Sequence, residues 1–158
     1  MCHKPYNPHC SVCRAVKSRH SPHRRKKVPK RESLSVFGEL VTCDHIIAQG
    51  INESLDGHPC ALVIYDVRTQ FLAAQPTVNK SGPETCRIIK QFCMGDIIDR
   101  MYSDGSGEIE WACHYLSIPH DTCQTGDKQG NGIAEQMVQE VKKWTTCNLE
   151  QSGLPHCY

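Results

Sequence analysis

The chain has 158 residues, enough for one full domain and a small appendage. Its 39% apolar residues can form a core, but no apolar run approaches the roughly 18 residues of a membrane span, which excludes a helical membrane protein. Net charge is only +1, yet residues 1–31 hold ten Lys/Arg and no acid, leaving eight Lys/Arg against all 17 Asp/Glu in residues 32–158. A basic arm on an acidic domain points to a polyanionic partner for the arm.

The first residues, Met1-Cys2-His3-Lys4-Pro5, are polar and have no signal-peptide pattern, so the chain reads as intracellular. Eleven cysteines, an odd count, then read mostly as reduced, small hydrophobes. Cys10-Ser11-Val12-Cys13 is a C-x2-C knuckle, a spacing that lets two thiolates grip one Zn²⁺. His3, seven residues upstream, is a third candidate ligand; His9, His20 and His23 have no spacing that singles one out. Residues 1–20 thus read as a partial zinc module. Residues 21–35 read as a basic linker, in which Arg24, Arg25, Lys26 and Lys27 suit phosphate contact or nuclear import and Pro22 and Pro29 oppose a continuous helix.

Residues 36–158 form the main domain. Residues 40–47 are β-branched and apolar, a central strand with Asp44 inside it. An aspartate there is costly unless paired or metal-bound. Alternation puts Asp44 on one face with Leu40, Thr42 and Ile46, and His45 on the other. Residues 61–65 and 70–74 are two further strands of an antiparallel meander, with Asp66 at the turn as a second candidate carboxylate. Ser81 and Glu84 fit a capping box for a helix ending at Gly95, and residues 97–102 make a strand that delivers Asp104. A crossover through that helix predicts parallel pairing with the first strand, bringing Asp104 beside Asp44. Ile109, Ala112, Cys113 and Leu116 predict the next helix, with Glu108 and Glu110 on its solvent side. A short strand around residues 120–123 and a glycine-bearing loop precede the last helix, residues 132–151, with Ile133, Met137, Val141 and Trp144 as its buried stripe. Glu135 lies off that stripe, and Lys142 lies about 20° from it around the helix.

Three blocks carry a resemblance. Val41-Thr42-Cys43-Asp44-His45, then Ser103-Asp104-Gly105-Ser106-Gly107-Glu108, then Asn131-Gly132-Ile133-Ala134-Glu135 resemble the Asp, Asp, Glu motif blocks of retroviral-type integrases. The spacing and the closing Gly153-Leu154-Pro155-His156-Cys157-Tyr158 are most similar to integrases of copia-type LTR retrotransposons, and His3, Cys10 and Cys13 resemble the end of the zinc module that precedes that core. The first histidine of that module is missing. The resemblance implies an α/β, RNase H-like fold: a mixed five-stranded sheet flanked by helices, preceded by a zinc-knuckle remnant and a basic linker. It implies transfer of mobile-element DNA 3′ ends into a target duplex, with a homo-oligomer as the working form and the nucleus as its place. It implies Asp44, Asp104 and Glu135 as ligands of two Mg²⁺ or Mn²⁺ ions, Lys142 as a DNA-contacting lysine, and Zn²⁺ on the knuckle. Two departures matter for the sites. Thirty residues separate Asp104 from Glu135 where retroviral enzymes have thirty-five, a spacing that Glu140 would meet, but Glu140 is about 140° around the helix from Glu135 and lacks the preceding Asn-Gly. The chain also stops near the end of the core. A catalytically silent nucleic-acid-binding remnant and an RNase H-like nuclease stay open as alternatives.

Overall fold

The structure, a computed structural model, describes residues 7, 9–17, 35–48, 54, 56–122 and 131–153. After a short helix α1 (Ser11–Lys17) come β1 (Val41–Ile47), β2 (Cys60–Asp66), β3 (Leu72–Thr77), α2 (Gly82–Cys93), β4 (Met101–Ser103), α3 (Gly107–Leu116), β5 (His120–Thr122) and α4 (Gly132–Ser152). The strands form one sheet in the order β3-β2-β1-β4-β5. β1 pairs antiparallel with β2 and parallel with β4, as the crossover through α2 predicts. β2–β3 is antiparallel and β4–β5 parallel. The sheet is therefore mixed and five-stranded, with β1 at its centre.

Helices cover both faces. On one, Val41 and Cys43 of β1, Leu62 and Ile64 of β2 and Met101 of β4 meet Ile88, Ile89 and Phe92 of α2 and Ile109, Ala112 and Cys113 of α3. Each large aliphatic side chain buried there contributes about 1.5–3 kcal/mol. On the other, α4 packs against β1 and β2, and α1 packs against α4. Two close approaches fix the frame. Gly38, at φ +88°, donates its N–H to the buried Asp66 carboxylate at 3.0 Å, and a Cβ there would lie 2.1 Å from the Ile97 carbonyl oxygen. At Gly82 a Cβ would lie 2.5 Å from the Trp111 ring, so α2 can begin close against α3 only with glycine.

Several expectations shift. β3 starts at Leu72, later than periodicity suggests, because Asp66 turns the chain: its carboxylate accepts the Thr69 N–H and hydroxyl, each at 2.6 Å, and Gln70 takes a left-handed φ of 62°. The capping box does not form; the Glu84 carboxylate pairs with Arg87 at 2.7 Å instead, one turn along α2. β4 is only three residues long, since Ile97 is exposed and the Asp99 N–H is taken by the Gly38 carbonyl. On α4, Ala134 and Val138 are buried on one face and Ile133 is exposed; Cys147, also buried, lies about 180° around the helix from Val138. Met137, Val141 and Trp144 are half-buried and line a groove with Tyr65, Leu72 and Ala74. Among the described residues no helix is long and apolar enough to cross a membrane.

Candidate functional site

The site is built by the parallel pairing at the sheet centre. Thr42 faces Tyr102 and Cys43 faces Ser103 across β1 and β4. One step further along the same two chains stand Asp44 and Asp104. Asp44 accepts the N–H of His45 at 2.7 Å. Asp104 is fixed through its main chain: the Ser103 hydroxyl donates to the Asp104 carbonyl at 2.8 Å and lies 2.8 Å from Nε2 of His120 in β5. Its side-chain Oδ1 is buried with no hydrogen-bond partner.

Glu135 joins from α4. It sits in the first turn, exposed, with its N–H donated to the Asn131 carbonyl at 3.1 Å. The Asp44 carboxyl is pushed above its ordinary range, first by burial. The His45 N–H opposes this; the charges of Asp104 and Glu135 add to it, and Lys80 opposes it. Asp44 therefore lies in the field of both other carboxylates. Glu140, the residue that spacing alone would select, is occupied elsewhere: it accepts the Trp144 indole N–H at 3.1 Å and lines the groove over β3. Asp66 is wholly buried and engaged by Gly38 and Thr69, a structural carboxylate.

Can these residues hold a divalent cation? Buried acceptors without donors cost about 1–3 kcal/mol each. Among the described residues, buried oxygens without a hydrogen-bond partner include Asp104 Oδ1, Thr42 Oγ1 two residues before Asp44, Ser106 Oγ two residues after Asp104, and Asn131 Oδ1 at the start of α4. Oxygen-only donors suit Mg²⁺ or Mn²⁺, so the donor chemistry fits. The arrangement is open, however. Among the described residues no three His, Cys, Asp or Glu side chains gather closely enough to hold an ion as they stand.

Sequence periodicity missed two residues. Glu108, expected on the solvent side of α3, is mostly buried: its Oε1 lies 2.7 Å from Nζ of Lys80 and 3.5 Å from Nδ1 of His45. Lys80, in the turn before α2, lowers the Asp44 pKa and has its own raised, first by the Glu108 hydrogen bond. His45, on the face opposite Asp44 as alternation predicts, is held below its usual pKa by burial and then by Lys80. The only sequence signal for Glu108 was its place four residues after Asp104; Lys80 had none.

Of the remaining candidates only Lys142, Cys10 and Cys13 are among the described residues. Lys142 is exposed on α4 and lines a groove with Ile46, Ala61 and Pro76. Cys13 is wholly buried on α1, with Cys10 half-buried just before it. Their proposed partner His3, and Arg24, Arg25, Lys26 and Lys27, lie outside the described residues. Most of the loop before α4 does too.

No family model matches the sequence, and no curated protein is similar to it. Among solved structures the fold is similar to the catalytic core domain of BIV integrase. The TM-score is 0.52, over 72% of this chain and 73% of that one, at 17% identity. The chain thus has the mixed-sheet, RNase H-like fold of an integrase catalytic core.

Proposed function

We propose that this chain is the catalytic core of a retroviral-type DNA integrase, from a copia-type LTR retrotransposon. Its activity is metal-dependent polynucleotidyl transfer, joining element DNA 3′ ends to a target duplex. Asp44, Asp104 and Glu135 are its metal-binding carboxylates. The observation that carries this reading is the juxtaposition of Asp44 and Asp104 at the centre of the sheet, with Glu135 in electrostatic reach and Asp104 Oδ1 buried and unpartnered. A fold similar to an integrase core supports it.

Two Mg²⁺ or Mn²⁺ ions, when bound, supply activation of the attacking hydroxyl and stabilisation of the leaving oxygen in an in-line displacement. The chain's own residues supply position. Asp44 and Asp104 hang from paired strands, and rigid strands hold a site more accurately than loops do. The Ser103–His120 contact steadies the end of β4 from the neighbouring strand. Glu135 stands exposed in the first turn of α4, its charge reaching Asp44. A Cβ at Gly105 or Gly107 would meet nothing within 4 Å, so the turn behind Asp104 leaves a broad polymer room to approach. Lys142 is a DNA contact further along α4. The Arg24–Lys27 cluster holds phosphates and directs nuclear entry, and the knuckle, with Zn²⁺ on His3, Cys10 and Cys13, belongs to an upstream module. The working form is a homo-oligomer.

The open carboxylates favour a second reading, a chain that binds DNA without cleaving it. Both are tested by incubating the chain with element-end DNA duplexes, or with RNA–DNA hybrids, in Mn²⁺. Joining of DNA 3′ ends that disappears in Asp104→Asn supports the integrase. Salt-sensitive binding with no metal-dependent cleavage supports the silent chain, and cleavage of the hybrid alone indicates a ribonuclease.

A further inference from the structure

The pair Lys80–Glu108 stands beside the carboxylates without belonging to them. Glu108 lies in the first turn of α3, where the helix N-terminus favours a negative charge. Its side chain is 16% exposed, and the buried His45 ring lies on it at 3.5 Å. On this fixed carboxylate rests the Lys80 ammonium, at 2.7 Å, with its side chain still 38% exposed. An ammonium has three donors, and the ion pair with Glu108 engages only one side of it. The charges of Asp104 and Asp44 both reach Lys80. Lys80 therefore stands beside the carboxylates, tethered on one side to Glu108 and open on the other.

A lysine whose purpose was to neutralise Asp44 and Asp104 would pair with one of them. No such ion pair occurs among the described residues; the partner of Lys80 is Glu108. Divalent cations on the three carboxylates would also repel a lysine aimed at those oxygens. Anchored to Glu108, Lys80 would keep its place if cations made the carboxylate site positive. What such a lysine then attracts is an anion, and for a polynucleotide that is a backbone phosphate.

We propose that Lys80 is a phosphate-contacting residue beside the Asp44–Asp104 pair and Glu108 its positioning residue. Lys80 takes the phosphate of a nucleotide flanking the reacting bond, so that the strand enters the site in one register. This inference rests on the reading of the carboxylate site as a polynucleotide site.

The test is DNA binding by the full chain, measured by fluorescence anisotropy with a labelled duplex over a series of salt concentrations, in Ca²⁺ and in EDTA. Each lost phosphate contact lowers the slope of log affinity against log salt by about 0.7–0.9. Lys80→Ala is expected to lose about one contact's worth in Ca²⁺, so that the fall in affinity between 50 and 200 mM salt shrinks by about threefold. Lys80→Arg restores the slope, and Glu108→Gln, which frees the ammonium, reduces it in part. Mn²⁺ affinity, measured by calorimetry, is expected to be unchanged or tighter in Lys80→Ala, since a nearby cation is gone. If wild type binds DNA and Lys80→Ala keeps the full slope, Lys80 is not a phosphate contact and the inference fails alone. If wild type binds no DNA, the polynucleotide reading fails and takes this one with it. Circular dichroism of each variant separates a lost contact from a lost fold.

Discussion

Asp104→Asn removes one carboxylate charge while keeping the size of the side chain. In the metal-free protein, burial pushes the Asp44 carboxyl up, and the charges of Asp104 and Glu135 push it further. Removing one of the two repulsions leaves the fold intact, so the metal-free Tm of the variant is expected to equal or exceed that of wild type. Divalent cations reverse the order. A ligand that binds only the folded state stabilises it by about 1.4 kcal/mol at ten times its Kd and about 2.7 kcal/mol at a hundred times. In a chain of this size 1 kcal/mol moves Tm by about 2–4 °C. Wild type should therefore gain about 3–6 °C in a tenfold excess of Mn²⁺, and Asp104→Asn less than about 1 °C. Scanning calorimetry at constant ionic strength measures this with general screening held fixed. Glu135→Gln should lose part of the gain. Glu140→Gln should lose none of it, because that carboxylate serves Trp144. An equal metal-induced rise in wild type and Asp104→Asn would refute the assignment of Asp104. Loss in Glu140→Gln in place of Glu135→Gln would move the third ligand to Glu140.

Three further outcomes follow from particular residues. Gly38→Ala places a Cβ 2.1 Å from the Ile97 carbonyl oxygen at a left-handed φ. It is expected to cost about 2 kcal/mol or more in a urea melt, and a loss within error would mean the turn relaxes freely. Burial pushes the Cys113 thiol up to about 11 and Cys43 well above its ordinary value. At neutral pH both are protonated and enclosed, so iodoacetamide should modify them in urea and not in the native chain; equal rates by mass spectrometry would contradict the core packing. Folding also raises the Asp44 pKa above its ordinary 3.8, so its ionised form costs stability. That cost is absent below the ordinary value and full above the folded one. Metal-free wild type should thus lose stability relative to Asp44→Asn as pH climbs from below the ordinary 3.8 through the raised folded value, and parallel urea-melt profiles for the two would sink the idea.

Much of the sheet was readable from the chain because its signals are local. β-branched runs marked β1 and β2, and a helix between strands implied the parallel β1–β4 pair that sets Asp44 beside Asp104. What failed depended on neighbours. The Asp66 side chain decided where β3 begins, and it does so by capturing Thr69 and Gly38, the latter 28 residues away. On α4, periodicity finds Met137, Val141 and Trp144, which are half-buried over β2 and β3, and passes over the smaller Ala134 and Val138, which are fully buried beside them. Periodicity also hides Glu108. A charge in a first helical turn looks solvated on a helical wheel, and only the turn before α2, bringing Lys80 across to it, makes it an interior residue. Asp44 is signalled by its own strand and Asp104 by the strand end before it, whereas Glu135, on a helix, is singled out only through the family resemblance. Lys80 and Glu108 come from different elements meeting at one place, and no one-dimensional pattern contains that meeting.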